Sequence, residues 1–181
     1  MNIKRFRRVC NVSSIILKIL AVLAIVITSL SMYQVLSGNP NVWFNYEGPS
    51  FSMFSSGHTM GGILITDAEY RLAATIISPF IVLVSSYVFW KGSQLFKRLA
   101  DGETPFNFEF AKSLKHLSLV LILSDIITPI LYSIILSTIY DNGHEVIVGL
   151  TSSFVIGIIL YTISEIFYYG IELQQLTDET V

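Results

Sequence analysis

Leu117–Ile139, which reads LSLVLILSDIITPILYSIILSTI, is about 23 residues long and carries a single charge, Asp125. A helix rises about 1.5 Å per residue, so roughly 20 such residues cross a ~30 Å hydrocarbon core. Three further runs have the same character: Val12–Tyr33, Leu72–Trp90 and Val146–Tyr168. None alternates with period two, which excludes barrel strands, and none carries the polar stripe of a water-soluble helix. Hydrophobic residues make up 52% of the chain and charged residues 13%, against ~25% charged in soluble domains. The expected fold is an all-α membrane protein with four transmembrane helices in one domain spanning residues 1–181.

Lys and Arg set the expected orientation. Lys4, Arg5, Arg7, Arg8 and Lys18 lie in the first 18 residues, and Lys91, Lys97, Arg98, Lys112 and Lys115 in the segment 91–116. Only Arg71, at the edge of a span, remains for the other gaps. The positive-inside rule then places both termini, the loop 91–116 and the tail 170–181 in the cytoplasm of a bacterial inner-membrane protein, and the segment 34–71 outside. A basic start, an apolar stretch and Ser29-Leu30-Ser31 also match a cleaved signal peptide, but the run is long for that, and an uncleaved first helix is expected. The lone Cys10 excludes an intrachain disulfide and a Cys-based metal site. It reads as an interfacial thiol, with palmitoylation as the alternative.

The outer segment is rich in Gly, Ser and aromatics, and suits one or two short β-hairpins on the outer face. Trp43, Phe44 and Tyr46 fit the headgroup belt, and a ligand-sensing cap is the sharper reading. In the loop 91–116, Leu95, Phe96 and Leu99 recur at helical spacing, so the second helix should continue to Ala100. Asp101-Gly102 should stop it, with Thr104-Pro105 marking the turn and Asn107 capping the next helix. Phe106, Phe108 and Phe110 then either anchor the loop at the interface or form a docking patch.

Few polar groups lie within the runs. A carboxylate as deep as Asp125 costs about 2.5–3.5 kcal/mol on insertion scales, so it should face the bundle or a wet crevice. Pro129, four residues on, frees the carbonyl of Asp125, and Pro79 does the same for Thr75, so spans two and three should bend at one level. Lys18, Asp125 and Glu165 fall at similar depth and form a candidate polar cluster, although Lys18 and Glu165 can instead snorkel to the headgroups. Gly149, Ser153 and Gly157, each four apart, read as a helix-packing ridge on span four. That ridge joins span four either to its own bundle or to a second copy.

No phosphate-cradling glycine loop, HExxH, GxSxG or Cys pair is present, and neither a catalytic, cofactor nor metal site is expected. His58, His116 and His144 are scattered along the chain and are not expected to meet. A channel needs a continuous polar file, longer than one Asp and one Glu.

Asp101-Gly102-Glu103-Thr104-Pro105-Phe106, running into Ala111-Lys112-Ser113-Leu114, resembles the loop signature of the bacterial domain-of-unknown-function 2975 family. So does the ending, Ser164-Glu165-Ile166-Phe167-Tyr168-Tyr169-Gly170-Ile171-Glu172-Leu173-Gln174-Gln175 with Asp178 before the terminal Val181. Glu103-Thr104 lengthens the family's usual turn, and Asn107-Phe108-Glu109 replaces its more usual Thr-Glu-Glu start. The resemblance implies a four-helix integral membrane protein. It also implies a partner, because such proteins are often encoded beside a small helix-turn-helix regulator. Both signatures fall on the side expected to be cytoplasmic, so Pro105, Phe106, Phe110, Gly170, Glu172, Leu173, Gln174 and Asp178 are the candidate contacts. The chain has no nucleic-acid-binding fold of its own. The alternative expectation is a small transporter or channel component, or an immunity-type membrane protein.

Overall fold

The computed structural model describes residues 3–37, 51–59, 67–104, 106–139 and 143–179. In chain order these form α1 (Ile3–Leu36), β1 (Phe51–Thr59), α2 (Asp67–Asp101), α3 (Phe108–Ile139), β2 (Gly143–Leu150) and α4 (Ser152–Glu179). Each helix contains a window long and apolar enough to cross a membrane, which makes the chain a multi-pass membrane protein. The helices have 34, 35, 32 and 28 residues. At about 1.5 Å per residue, all are longer than a ~30 Å core requires. Trp43, Phe44, Tyr46 and Pro105 lie outside the described residues.

The helices pack in sequence order, α1 on α2, α2 on α3 and α3 on α4. Small polar residues knit the first pair. The Ser14 and Ser93 hydroxyls lie 2.9 Å apart, and each reaches the other residue's carbonyl, also at 2.9 Å. Two turns further along, Ser86 donates to the carbonyl of Ala21 at 3.3 Å. Without hydrophobic drive between helices in lipid, close packing of small residues and such hydrogen bonds (averaging ~0.6 kcal/mol each) hold the pair together. Cys10 is buried. Two clusters fill the rest of the interior: Ala73, Ala74 and Ile77 with Tyr132 and Leu136 at one end, and Leu95 with Phe110 and Leu114 at the other.

The α2–α3 connection follows the sequence expectation. Helix α2 ends at Asp101, and Gly102 adopts φ +104°, a left-handed conformation that costs glycine little. The Asn107 side chain then accepts the Glu109 backbone N–H at 3.0 Å, as an N-cap does. Pro79 lies inside α2, and the carbonyl of Thr75 that it frees accepts a hydrogen bond from Ser78 at 2.8 Å.

Three expectations are corrected. Among the described residues of the segment 34–71, the strand β1 is not part of a local hairpin, because it pairs antiparallel with β2, from Phe51 opposite Leu150 to Thr59 opposite Gly143. That register sets His58 opposite His144, two residues not expected to meet. The fourth apolar run is not one helix. Val146–Leu150 belong to β2, and α4 begins at Ser152 and continues beyond Tyr168 to Glu179. The β-branched Val146-Ile147-Val148, bounded by Gly143 and Gly149, favours a strand locally.

Candidate functional site

The break between β2 and α4 is stitched to the middle of α3 by Asp125. One carboxylate oxygen accepts the Thr151 backbone N–H at 2.6 Å, and the other accepts the Thr151 hydroxyl. The Thr151 side-chain oxygen in turn accepts the Ser153 N–H at 3.2 Å. Thr151 therefore caps α4 while Asp125 supplies negative charge at the same helix N-terminus, where the peptide dipoles favour it. Asp125 is 6% exposed. Its cost of burial is met by hydrogen bonds to both oxygens rather than by a counter-ion.

The same face of α3 continues the stitching upward. The Ile147 N–H donates to the Ser133 hydroxyl at 2.9 Å, and the Glu145 N–H reaches the Ser137 hydroxyl at 3.4 Å. Ser137, Ser133 and Asp125 are separated by multiples of four residues, and their partners 145, 147 and 151 by multiples of two. Four helical residues advance about 6.0 Å and two strand residues about 6.6 Å, so helix and strand stay in step. That register sets Pro129 opposite Gly149. Tyr70 of α2 ties the upper end, donating its hydroxyl to the Glu145 carboxylate at 2.6 Å.

Below this seam lies a half-open crevice of about 760 Å³. Asp125, Thr151 and Ser153 stand at its polar end, while Leu95, Leu114 and Leu160 line its apolar walls. Gly157 lets α4 approach α3 closely: a Cβ there would lie 2.7 Å from the Ile122 side chain and 3.2 Å from the Ser118 carbonyl oxygen.

At the α2–α3 turn, the three phenylalanines bind the turn to α4. Phe106 and Phe110 both meet Phe167 edge-on, with ring centroids 5.7 and 5.8 Å apart, and Phe108 meets Tyr168 at 5.6 Å. Lys115 and Glu165 form an ion pair at 2.6 Å, with the Lys115 ammonium 5.2 Å from the Tyr161 ring centroid. Beyond that pair α4 presents Tyr169 (64% exposed), Leu173 (46%) and Leu176 (61%) on one face. Ser164 and Ile171, on the opposite face, are buried.

A protein-family model described as "Protein of unknown function (DUF2975)" matches residues 55–181. The chain belongs to this family. The matched DUF2975 region holds α2, α3, β2, α4 and most of β1, hence every residue of the seam and of the Phe-lined turn, while α1 precedes it. No curated protein and no solved structure matches the chain.

Set against this DUF2975 structure, the expected polar cluster does not form. Asp125 is engaged by Thr151, Glu165 by Lys115, and Lys18 stands on α1 as a half-buried side chain apart from both. The packing ridge is reduced: Gly149 lies in β2, and the close approach at Gly157 is taken by the chain's own α3. Among the candidate contacts, Phe110 is buried and Gly170 lies under the Phe106 ring, 3.1 Å from the position a Cβ would take. Glu172, Leu173 and Gln174 are exposed, and the backbone of Asp178 is within α4. Thr151, Ser133, Ser137 and Tyr70 were not anticipated. The spacing of four between Asp125, Pro129, Ser133 and Ser137 was the available signal.

Proposed function

We propose that this protein is a non-catalytic sensing or regulatory partner in the bacterial inner membrane, with both termini and the α2–α3 turn cytoplasmic, acting on a small cytoplasmic helix-turn-helix regulator. On α2, Arg71 and Lys91 are 20 residues apart, about 30 Å along a helix, which matches the hydrocarbon thickness. Taking those two as the edges puts Glu145 and Tyr70 at the outer surface and the Lys115–Glu165 pair at the inner one. Asp125, ten residues above Lys115, then lies about 15 Å deep, at mid-membrane. On this placement β2 covers the outer half of the fourth crossing and α4, although long enough to cross by itself, covers the inner half.

The observation carrying this reading is that β2 passes directly through Thr151 into α4, whose far end bears the exposed Tyr169–Leu173–Leu176 face. One continuous stretch thus links the outer ribbon to an amphipathic helix end lying past the inner membrane edge. On this placement the apolar residues there have no lipid to cover them, and a helix face of this spacing suits a groove on a soluble protein. The family resemblance supplies the type of partner. A transport reading draws on the crevice at Asp125. However, Asp125 and Thr151 satisfy one another, and the crevice walls towards the inner end are apolar.

Co-expression with a small helix-turn-helix regulator encoded beside this chain tests the proposal. The regulator should co-purify with the wild-type chain in detergent and be lost from the Leu173→Glu/Leu176→Glu variant, whose melting stays unchanged. Equal recovery by both chains would remove the helix end as the contact. A C-terminal phosphatase fusion that is active outside the cytoplasm would overturn the orientation.

A further inference from the structure

On the face of the α2–α3 seam turned away from the crevice, a small pocket of about 230 Å³ is lined by Lys91, Gln94 and Arg98 from α2 and by Lys112, Ser113 and His116 from α3. Three permanent cations therefore converge from two helices on one cavity. Their neutralisation is thin. Glu109 touches Arg98 at 3.5 Å, with its own side chain 79% exposed, and among the described residues neither Lys91 nor Lys112 has an acidic partner. The Tyr87 hydroxyl and His116 Nε2 lie 3.0 Å apart and close the upper rim.

Positive charge at the inner end of a membrane helix is expected from topology alone. What topology does not require is that three cations from two helices line one cavity directly below a lipid-facing apolar track. On α2 the face of Gln94 continues through Trp90, Tyr87 and Leu83, and on α3 the face of Lys112 continues through His116, Leu119 and Leu123. Trp90, Tyr87, Leu83, Leu119 and Leu123 are all exposed, so the track faces lipid along most of one leaflet. Basic side chains below and an exposed apolar strip above match the two parts of a phospholipid with a negative headgroup.

We propose that the pocket between Lys91 and Lys112 binds the headgroup of an anionic phospholipid, whose acyl chain lies along the Trp90–Leu83 and Leu119–Leu123 track. Lys91 and Lys112 pair with the phosphate, and Gln94 and Ser113 donate to its ester or glycerol oxygens. None of the pocket's lining residues comes from α4, so the site stands or falls separately from the regulatory reading.

Trp90 provides the probe. The full chain carrying Trp43→Phe, which leaves Trp90 as its only tryptophan, is reconstituted in vesicles of zwitterionic lipid. Brominated-chain phosphatidylglycerol or brominated-chain phosphatidylcholine is then titrated in. Anionic lipid should quench Trp90 at a much lower mole fraction than the zwitterionic one. A basic side chain near an anionic headgroup is worth roughly five-fold in association, so Lys91→Gln/Lys112→Gln should cut the preference by roughly thirty-fold. The unaltered chain's melting in neutral detergent should be raised by phosphatidylglycerol and not by millimolar glycerophosphate. Equal quenching by both lipids, or a preference that survives the double substitution, overturns the proposal. Full competition by glycerophosphate also overturns it, reassigning the pocket to a soluble anion.

Discussion

Replacing Asp125 by Ala removes both acceptors of Thr151 at once, and the cost can be worked from the site. The Thr151 backbone N–H, held at 2.6 Å by the carboxylate, becomes a part-buried donor without its protein acceptor, which costs about 1–3 kcal/mol. Loss of a negative charge at the α4 N-terminus adds up to about 1–2 kcal/mol in a partly buried setting. The insertion cost of the carboxylate does not offset these losses, because an unfolded but inserted chain bears it as well. The net expectation is about 3 kcal/mol of destabilisation, or roughly a hundred-fold in the folding constant. Asp125→Asn should cost about 1 kcal/mol, since its amide oxygen still accepts the N–H, though without charge assistance. Denaturation in mixed micelles by titrated dodecyl sulfate, followed by circular dichroism, gives both values. An Ala variant as stable as wild type, or an Asn variant worse than Ala, would refute the reasoning that Asp125 is the clasp between α3 and α4.

Other substitutions probe the rest of the seam. Ser133→Ala should destabilise by about 1–2 kcal/mol in the same titration, because the Ile147 N–H loses its 2.9 Å acceptor. Ser137→Ala should cost less, its Glu145 contact being longer at 3.4 Å. Gly157→Ala should cost about 1–3 kcal/mol by overpacking against Ile122 and the Ser118 carbonyl. Hydrogen exchange should then rise in α4 before it rises in α1 and α2. Gly102→Ala should destabilise by about 1 kcal/mol or more, because the residue sits at φ +104° and a Cβ would meet the Arg7 guanidinium at 2.5 Å.

The membrane class and the α2–α3 turn were legible because they depend on local signals: run length, Asp101-Gly102 and the Asn107 cap. The ribbon was not, for two reasons. Hydropathy scores Val146–Leu150 the same whether the backbone is strand or helix, and the run continues smoothly into a sequence that is helical. The strand's partner, Phe51–Thr59, is some ninety residues away, so no local pattern announces the pairing. Asp125 is conspicuous as a charge, and charge pairing alone points to Lys18. Its actual partner is the neutral Thr151, and a neutral donor at a helix start leaves no mark in a count of charges. Serines in such helices usually bond back to the preceding turn, as Ser85 does to Ile81 and Thr138 to Ile134. Ser133 and Ser137 looked no different until their spacing was matched to a strand.

That matched spacing limits how the β1–β2 ribbon can move. A strand exposed to hydrocarbon is tolerated only if its backbone groups are satisfied within the protein. One edge of β2 is paired with β1, and the other meets the hydroxyls and carboxylate of α3. Because successive strand residues face opposite sides, a slip of one residue would turn every bonded N–H away from α3. A slip of two residues would restore the facing, but it would carry the Thr151 N–H from Asp125 to the level of Pro129 or of Leu121, neither of which has a polar side chain. Gradual sliding therefore breaks all the contacts together, and the in-step position is the only one in which Asp125 meets the start of α4. On the proposed reading, a signal passing from the ribbon to the far end of α4 works by releasing this clasp as a unit. Disulfide pairing of Ser133→Cys with Ile147→Cys should then lock the proposed regulator binding in one state, whereas binding that still switches in the locked chain would exclude the ribbon from the path.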